Sequence, residues 1–312
     1  MIVSEYFNQW LQDKKPDLQR STYEAYTVYI NKHIAPYFDE MGKPLEALKP
    51  LDIKRYVTEK RSGGRKDGKE GGLSAVSVRK HLNIIKQAFR EAVLYELIPS
   101  NPAEPVRLPK SESISDNAQF IPLENAQRIL KTFQNHHLYP IILVTLIYGL
   151  RRSEVLGLRW SAVDFERQEM RICHTVVKNL TIEAKDRTKT NSSRRTFPLL
   201  PDVEEVLKPL YQREKASNSY IFAREDGSPL RPDSVTRGFQ RVLERNNLPH
   251  MRFHDLRHAT ASILFDRGWS VPDVQHWLGH SDIETTMNIY VAYNRTRKLK
   301  VGGSLSGVFT VQ

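Results

Sequence analysis

The sequence predicts a mainly α protein with a small antiparallel β-sheet, an α+β fold in two domains. Three observations carry this expectation. Apolar residues recur every three or four positions over most of the chain, the mark of amphipathic helices. Strand-like composition is confined to short stretches, chiefly residues 169–177 and 194–199. A polar, proline-bearing segment divides a helical front from a longer second part, and 312 residues suit two cores better than one.

In the front part, Ser21-Thr22-Tyr23-Glu24 has the form of a capping box, in which the hydroxyl and carboxylate satisfy reciprocal backbone donors. Tyr26, Tyr29, Ile30, His33 and Ile34 follow at helical spacing. A longer helix starts near Ser74 and places Val78, Leu82, Ile85, Phe89, Val93 and Leu97 on one stripe. Between them, Arg61 to Gly72 is a loop of Gly, Lys and Arg, read either as a solvated connector or as a mobile phosphate contact. Pro99-Ser100-Asn101-Pro102 is expected to stop the long helix, because proline lacks an amide and disfavours helix in its predecessor. The boundaries are 1–104 for the first domain, 105–119 for the linker, 120–294 for the second domain and 295–312 for a tail.

The second domain opens with helices over 122–134 and 138–149. Strands follow at 169–177 and 194–199, then a helix from Pro201 to Ser217 and a short strand from Ser219 to Ala223. Glu225-Asp226-Gly227 is a turn. Four helices close the domain: Arg231–Asn246, Asp255–Arg267 with Gly268 as its cap, Val271–Trp277 and Asp282–Tyr293. In the tail, Gly302-Gly303 reads as a break before Gly307-Val308-Phe309-Thr310-Val311, which is strand-like.

The chain carries 47 Lys+Arg against 36 Asp+Glu, a net charge of +11, which favours a polyanionic partner through steering and counterion release. The excess is shared: residues 1–110 hold 19 basic and 14 acidic side chains, the remainder 28 and 22. A single cysteine, Cys173, excludes an intramolecular disulfide and a cysteine zinc cluster. Met1 to Tyr6 lacks a signal-peptide core, and the longest apolar run, Pro140 to Leu150, is too short for a bilayer, so a cytoplasmic protein without membrane contact is expected.

Several groups suit phosphodiester chemistry, which needs a nucleophile, an acid for the leaving oxygen and fixed cations at the non-bridging oxygens. Arginine serves there because its planar fork pairs with phosphate and stays charged. His254 and Arg257 share a helix face at i, i+3, but alone an HxxR pair reads equally as a surface ion pair. Arg151 alone reads as a helix-end cation beside Glu154, His280 as an imidazole after an ordinary cap, and Tyr290 as core.

Their combination resembles the tyrosine recombinase (phage-type integrase) family over nearly the whole chain. The shared motifs, in order, are Gly149-Leu150-Arg151-Arg152-Ser153-Glu154, Lys189-Thr190, His254-Asp255-Leu256-Arg257-His258, Leu278-Gly279-His280 and Thr285-Thr286 before Tyr290. The resemblance implies a core-type DNA-binding domain followed by a catalytic domain that forms a 3′-phosphotyrosyl link. Tyr290 would attack, Arg151 and Arg257 would clamp the phosphate, and Lys189 on a β-hairpin would protonate the 5′-oxygen. His254 and His280 would assist, and Glu154 would orient the site. No metal and no cofactor are implied.

DNA contacts are expected from Arg65, Lys66, Lys69, Arg79, Lys80, Arg194 and Arg195. The implied partners are double-stranded DNA at specific recombination sites, three further copies in a tetramer on two duplexes with the tail docking in trans, and an accessory DNA-bending or excision factor. Val291-Ala292 stands where many relatives carry Thr-His, and Tyr293 is a rival nucleophile. No arm-binding segment precedes the first helices, so either a simple recombinase or a form trimmed at its front is expected. A catalytically silent DNA-binding relative and a type IB topoisomerase are the alternatives.

Overall fold

In the computed structural model the description covers residues 1–108, 121–178, 182–185, 195–213 and 219–305, the side chains of 178, 182–185 and 300–305 excepted. The chain divides into two compact units, Met1–Ile114 and Ser115–Gln312.

The first unit is helical: α1 (Val3–Asp13), α2 (Arg20–Tyr29), α3 (Ala35–Met41), α4 (Pro50–Gly63) and α5 (Ala75–Leu94). Ser74 caps α5 by accepting the Ser77 amide at 3.1 Å, and the predicted stripe from Val78 to Phe89 is buried against Phe7, Trp10 and Ile53. Two local expectations are corrected. The capping box does not form: α2 begins at Arg20, and Glu24 turns to the Arg20 guanidinium at 3.0 Å, a neighbour one helical turn away. Nor does Pro99 end the long helix. It stops at Leu94, where Glu96 adopts φ +58° and the Leu97 amide returns to the Ala92 carbonyl at 2.8 Å. Between α2 and α3 the helical spacing is interrupted: Ile30–Ile34 forms a π-helical turn, just ahead of Pro36, which has no amide for the ordinary i−4 bond.

The second unit begins with α6 (Leu123–Phe133), α7 (Tyr139–Tyr148) and the short α8 (Arg152–Val155). Strands β1 (Val163–Asp164), β2 (Glu169–Ile172) and β5 (Arg195–Pro198) form an antiparallel sheet in the order β1-β2-β5, with Met170 opposite Phe197. The single strand expected over 169–177 is two. The chain leaves the sheet at Cys173-His174, and β3 (Thr175–Lys178) pairs with β4 (Ile182–Lys185) as a separate hairpin. Residues 219–223 make only isolated bridges, Arg159 with Tyr220 and Ala223 with Pro229.

Helices α9 (Pro201–Arg213), α10 (Pro232–Arg245), α11 (Asp255–Asp266), α12 (Val271–Leu278) and α13 (Ile283–Leu305) complete the unit. The main core packs α6, α7, the sheet and α10, with Ile142, Met170, Phe197 and Phe239 buried. A satellite core joins α11, α12 and α13 through Phe265, Val274, Leu278, Ile289 and Tyr293. The expected break at Gly302-Gly303 is absent, because α13 runs through both glycines to Leu305. Two glycines weaken a helix without forbidding it, and about five turns of preceding helix propagate through them. The strand-like segment 307–311 lies outside the described residues, as does most of the expected linker.

Candidate active site

The site is assembled at two helix ends that finish in the same way. Helix α7 ends at Gly149 with φ +62°, and α12 ends at Gly279 with φ +67°, left-handed caps that favour glycine. At Gly149 a side chain would also collide with Leu278, since an added Cβ would lie 2.2 Å from its Cδ2. Each cap turns its carbonyl to one of the two predicted arginines: Arg257 Nη1 donates to Gly149 O at 2.7 Å, and Arg151 Nη2 donates to Gly279 O at 2.8 Å. The glycines of the GLR and LGH motifs thus hold the guanidiniums.

Glu154 lies beneath both. It is 1% exposed and accepts from the Arg151 amide at 2.9 Å, Arg151 Nη1 at 2.7 Å and Arg195 Nη2 at 3.0 Å. Arg257 Nη1 stands 4.0 Å away. Burial by itself would raise the Glu154 carboxyl, but the Arg195 and Arg151 charges outweigh it and hold it below the ordinary carboxylate range. Arg195, expected at the DNA, is instead drawn inward with its side chain 8% exposed, because the buried carboxylate needs a charged partner.

Arg257 is 1% exposed, on the first turn of α11. That turn is set by Asp255, which accepts the Arg252 amide at 2.8 Å, and by Thr260, whose hydroxyl donates to the Leu146 carbonyl of α7 at 2.7 Å. Burial, then the Arg151 charge, lower Arg257 to about 9, so it remains a cation at neutral pH. Its Nε donates to His280 Nε2 at 3.2 Å, while its Nη2 is buried with no hydrogen-bond partner.

His280 is buried, with Nδ1 2.7 Å from Thr286 Oγ1. Burial, then Arg257 and Arg151, push its pKa far below the ordinary imidazole value and keep the ring neutral. His254 is the residue before α11 and opens to solvent at its edge, its ring 5.0 Å from that of His258. The enclosing protein, then the neighbouring His258 and Arg257, lower it to about 4.

Tyr290 and Tyr293 lie on α13 but differ. Tyr293 is buried in the satellite core and its hydroxyl accepts from Arg297 at 3.3 Å. Tyr290 is half-buried, its ring edge-on to Phe265 of α11 at 5.1 Å, one helical turn beyond Thr286. Arg151, Glu154, Arg257 and His280 are therefore in direct contact, with His254 and Tyr290 on the same or adjoining helices. Lys189 and Arg194 lie outside the described residues. In the first unit Arg65 is engaged by Asp67 at 2.6 Å, Lys66, Lys69 and Lys80 are exposed, and Arg79 is half-buried. Sequence reading missed the inward role of Arg195 and the contact of Thr286. The Thr-Thr pair was the only signal for the second.

Residues 119–297 match the phage integrase family, and residues 2–61 match the phage integrase N-terminal SAM-like domain. Relatives include a XerC-like tyrosine recombinase of Caldanaerobacter subterraneus, 26% identical over 86% of this chain and 73% of the relative. The ICEBs1 integrase of Bacillus subtilis is 28% identical over 93% and 77%. The transposase of transposon Tn916 from Enterococcus faecalis is 22% identical over 81% and 65%. The fold is shared with the Tn1549 transposon integrase in complex with transposon right end DNA (TM-score 0.75, 20% identity, 97% and 100% covered). It is shared also with a lambda integrase dimer bound to a core site (TM-score 0.67, 18% identity, 93% and 77% covered). With its family match spanning more than half of its length, the chain belongs to the phage integrase family, the phage-type tyrosine recombinases.

Proposed function

We propose that the protein is a site-specific DNA recombinase that cuts and rejoins DNA through a 3′-phosphotyrosyl intermediate to integrate or excise a mobile element. The observation that carries this reading is the buried Arg257 Nη2, a cationic donor without a partner beside Arg151. Leaving such a group unpaired is costly, and an incoming phosphate oxygen would satisfy it. Backbone carbonyls and Glu154 fix the rest of both guanidiniums, so the cations are oriented before the substrate arrives.

In this reading the Tyr290 oxygen attacks phosphorus as its phenol proton passes to His254, the bond from phosphorus to the 5′-oxygen breaks, and Lys189 gives that oxygen a proton. A 5′-hydroxyl of a partner duplex then attacks the phosphotyrosine and the phenol leaves. Bond energy is conserved in the link, so neither ATP nor a metal is called on. The domain of residues 1–104 would grip DNA, through Arg65, Lys66, Lys69, Arg79 and Lys80, and Arg194 would add a contact from the second.

Assembly as a homotetramer on two duplexes is supported by a protein of the same fold, a lambda integrase tetramer bound to a Holliday junction; docking of the tail in trans is a further part of the proposal. A mobile-element role is supported by the Tn1549 integrase complexes with circular intermediate DNA. Among the described residues no helix is long and apolar enough to cross a membrane, and action on DNA in the cytoplasm is part of the proposal.

The deciding experiment uses a nicked suicide duplex. The unaltered chain should accumulate covalent adduct, and Tyr290→Phe should form none while binding DNA as before. Adduct from Tyr290→Phe but not from Tyr293→Phe would overturn the assignment. No adduct from the unaltered chain would favour a silent DNA-binding relative.

A further inference from the structure

Thr286 is fully buried on the first turn of α13, and its hydroxyl lies 2.7 Å from His280 Nδ1. The other ring nitrogen, Nε2, accepts the Arg257 Nε–H at 3.2 Å. A guanidinium N–H only donates, so Nε2 must carry a lone pair there. The ring is held neutral by burial and by Arg257 and Arg151, so its one proton resides on Nδ1 and needs an acceptor. Thr286 Oγ1 is that acceptor.

We propose that Thr286 is a positioning residue of the phosphate site, anchoring the Nδ1–H of His280 and, through the ring, the plane of the Arg257 guanidinium. The inference rests on the functional reading above for its consequence, but not for its geometry. Arg257 has two fixed points, Nη1 on Gly149 O and Nε on His280 Nε2. Its third nitrogen, Nη2, is the free donor. Without an acceptor at position 286 the buried Nδ1–H is left unsatisfied, while the Arg257 Nε–H still requires the lone pair on Nε2, so the tautomer stays and the anchor is lost. The ring can then turn about its Cβ–Cγ bond, and the Arg257 Nε contact loosens with it. The same hydroxyl ties the first turn of α13 to the site, one turn ahead of Tyr290 on the same helix face.

The test compares Thr286→Val, which keeps shape and removes the acceptor, with Thr286→Ser, which restores it. In the DNA-free protein, nitrogen–proton correlation spectra of labelled histidine should show His280 as the Nδ1–H tautomer in the unaltered chain and in Thr286→Ser. In Thr286→Val the tautomer should persist, with the Nδ1–H resonance shifted upfield by the loss of its acceptor. Adduct formation at saturating suicide duplex should slow by about 10- to 100-fold in Thr286→Val, the scale for losing an orienting partner, and return with serine, with DNA affinity unchanged throughout. A residue that merely filled space would leave that resonance where it is. An Nε2–H tautomer in the unaltered chain overturns the proposal whether or not the valine variant folds. So does an unchanged Nδ1–H resonance, or an unchanged rate, in Thr286→Val. A chain that forms no adduct at all would remove the functional reading, while the spectra would still decide the role of Thr286.

Discussion

Replacing Glu154 by glutamine removes one charge from the most heavily engaged buried group of the site and keeps its shape. The carboxylate and Arg195 are both nearly inaccessible, at 2% and 8% side-chain exposure, with Arg257 at 1% and 4.0 Å away. Arg151 is more open, at 32%, and contributes less for that reason. Breaking a buried pair by deleting one partner strands the other charge and costs roughly 3–5 kcal/mol. With a urea dependence of about 2 kcal/mol per molar, the midpoint of unfolding should fall by about 1.5–2.5 M.

Tryptophan fluorescence is a suitable probe, because Trp160, Trp269 and Trp277 all lie in the second unit and only Trp10 in the first. The pH dependence gives the sign. Glu154 is held below its ordinary pKa, so its contribution is complete above about 4.3, the unfolded value. It is lost as pH falls through the lower folded value. The gap between the two proteins should therefore be constant near neutrality and close only in acid. His254 and His280, also depressed, weaken both proteins below about 6.5 and cancel in the comparison to first order. Adduct formation should fall as well, since Arg151 loses its 2.7 Å partner. A midpoint within the equivalent of about 1 kcal/mol of the unaltered chain, the value of an ordinary hydrogen bond, would refute the buried-charge argument.

Gly149→Ala should cost about 2–4 kcal/mol, from the φ of +62° and the 2.2 Å approach to Leu278; a melting temperature equal to that of the unaltered chain would show that the cap relaxes freely. Arg257→Lys should slow suicide-substrate cleavage by at least ~100-fold, because one ammonium cannot hold Gly149 O and His280 Nε2 while presenting a further donor. A near-normal single-turnover rate would place the phosphate elsewhere. Cleavage should persist in excess EDTA, since the cations of the site are guanidiniums; loss on chelation with recovery on adding magnesium would contradict that mechanism.

Much of this was readable in the residues. The start of the long helix near Ser74 and its stripe from Val78 to Phe89 are local properties, set by spacing, and both appear as expected, with the Ser74 hydroxyl added as a cap by the structure. The glycines before Arg151 and His280 mark helix ends in any context, because a left-handed cap favours glycine wherever it occurs. The order of arginines, histidines and tyrosine likewise needs no coordinates to be seen. What the sequence left open depended on groups far apart in the chain. Arg195 reads in the sequence as a DNA contact, whereas the fold places it against Glu154, and a buried carboxylate recruits whichever cation the sheet brings to it. Tyr290 and Tyr293 are chemically identical on paper. Their separation into a half-buried phenol and a core side chain is decided by how α13 rolls onto α11. Local interactions are fixed by neighbours a few residues away, whereas burial and charge pairing are fixed only when distant segments meet, and the placements of Arg195, Thr286 and the two tyrosines belong to the second kind.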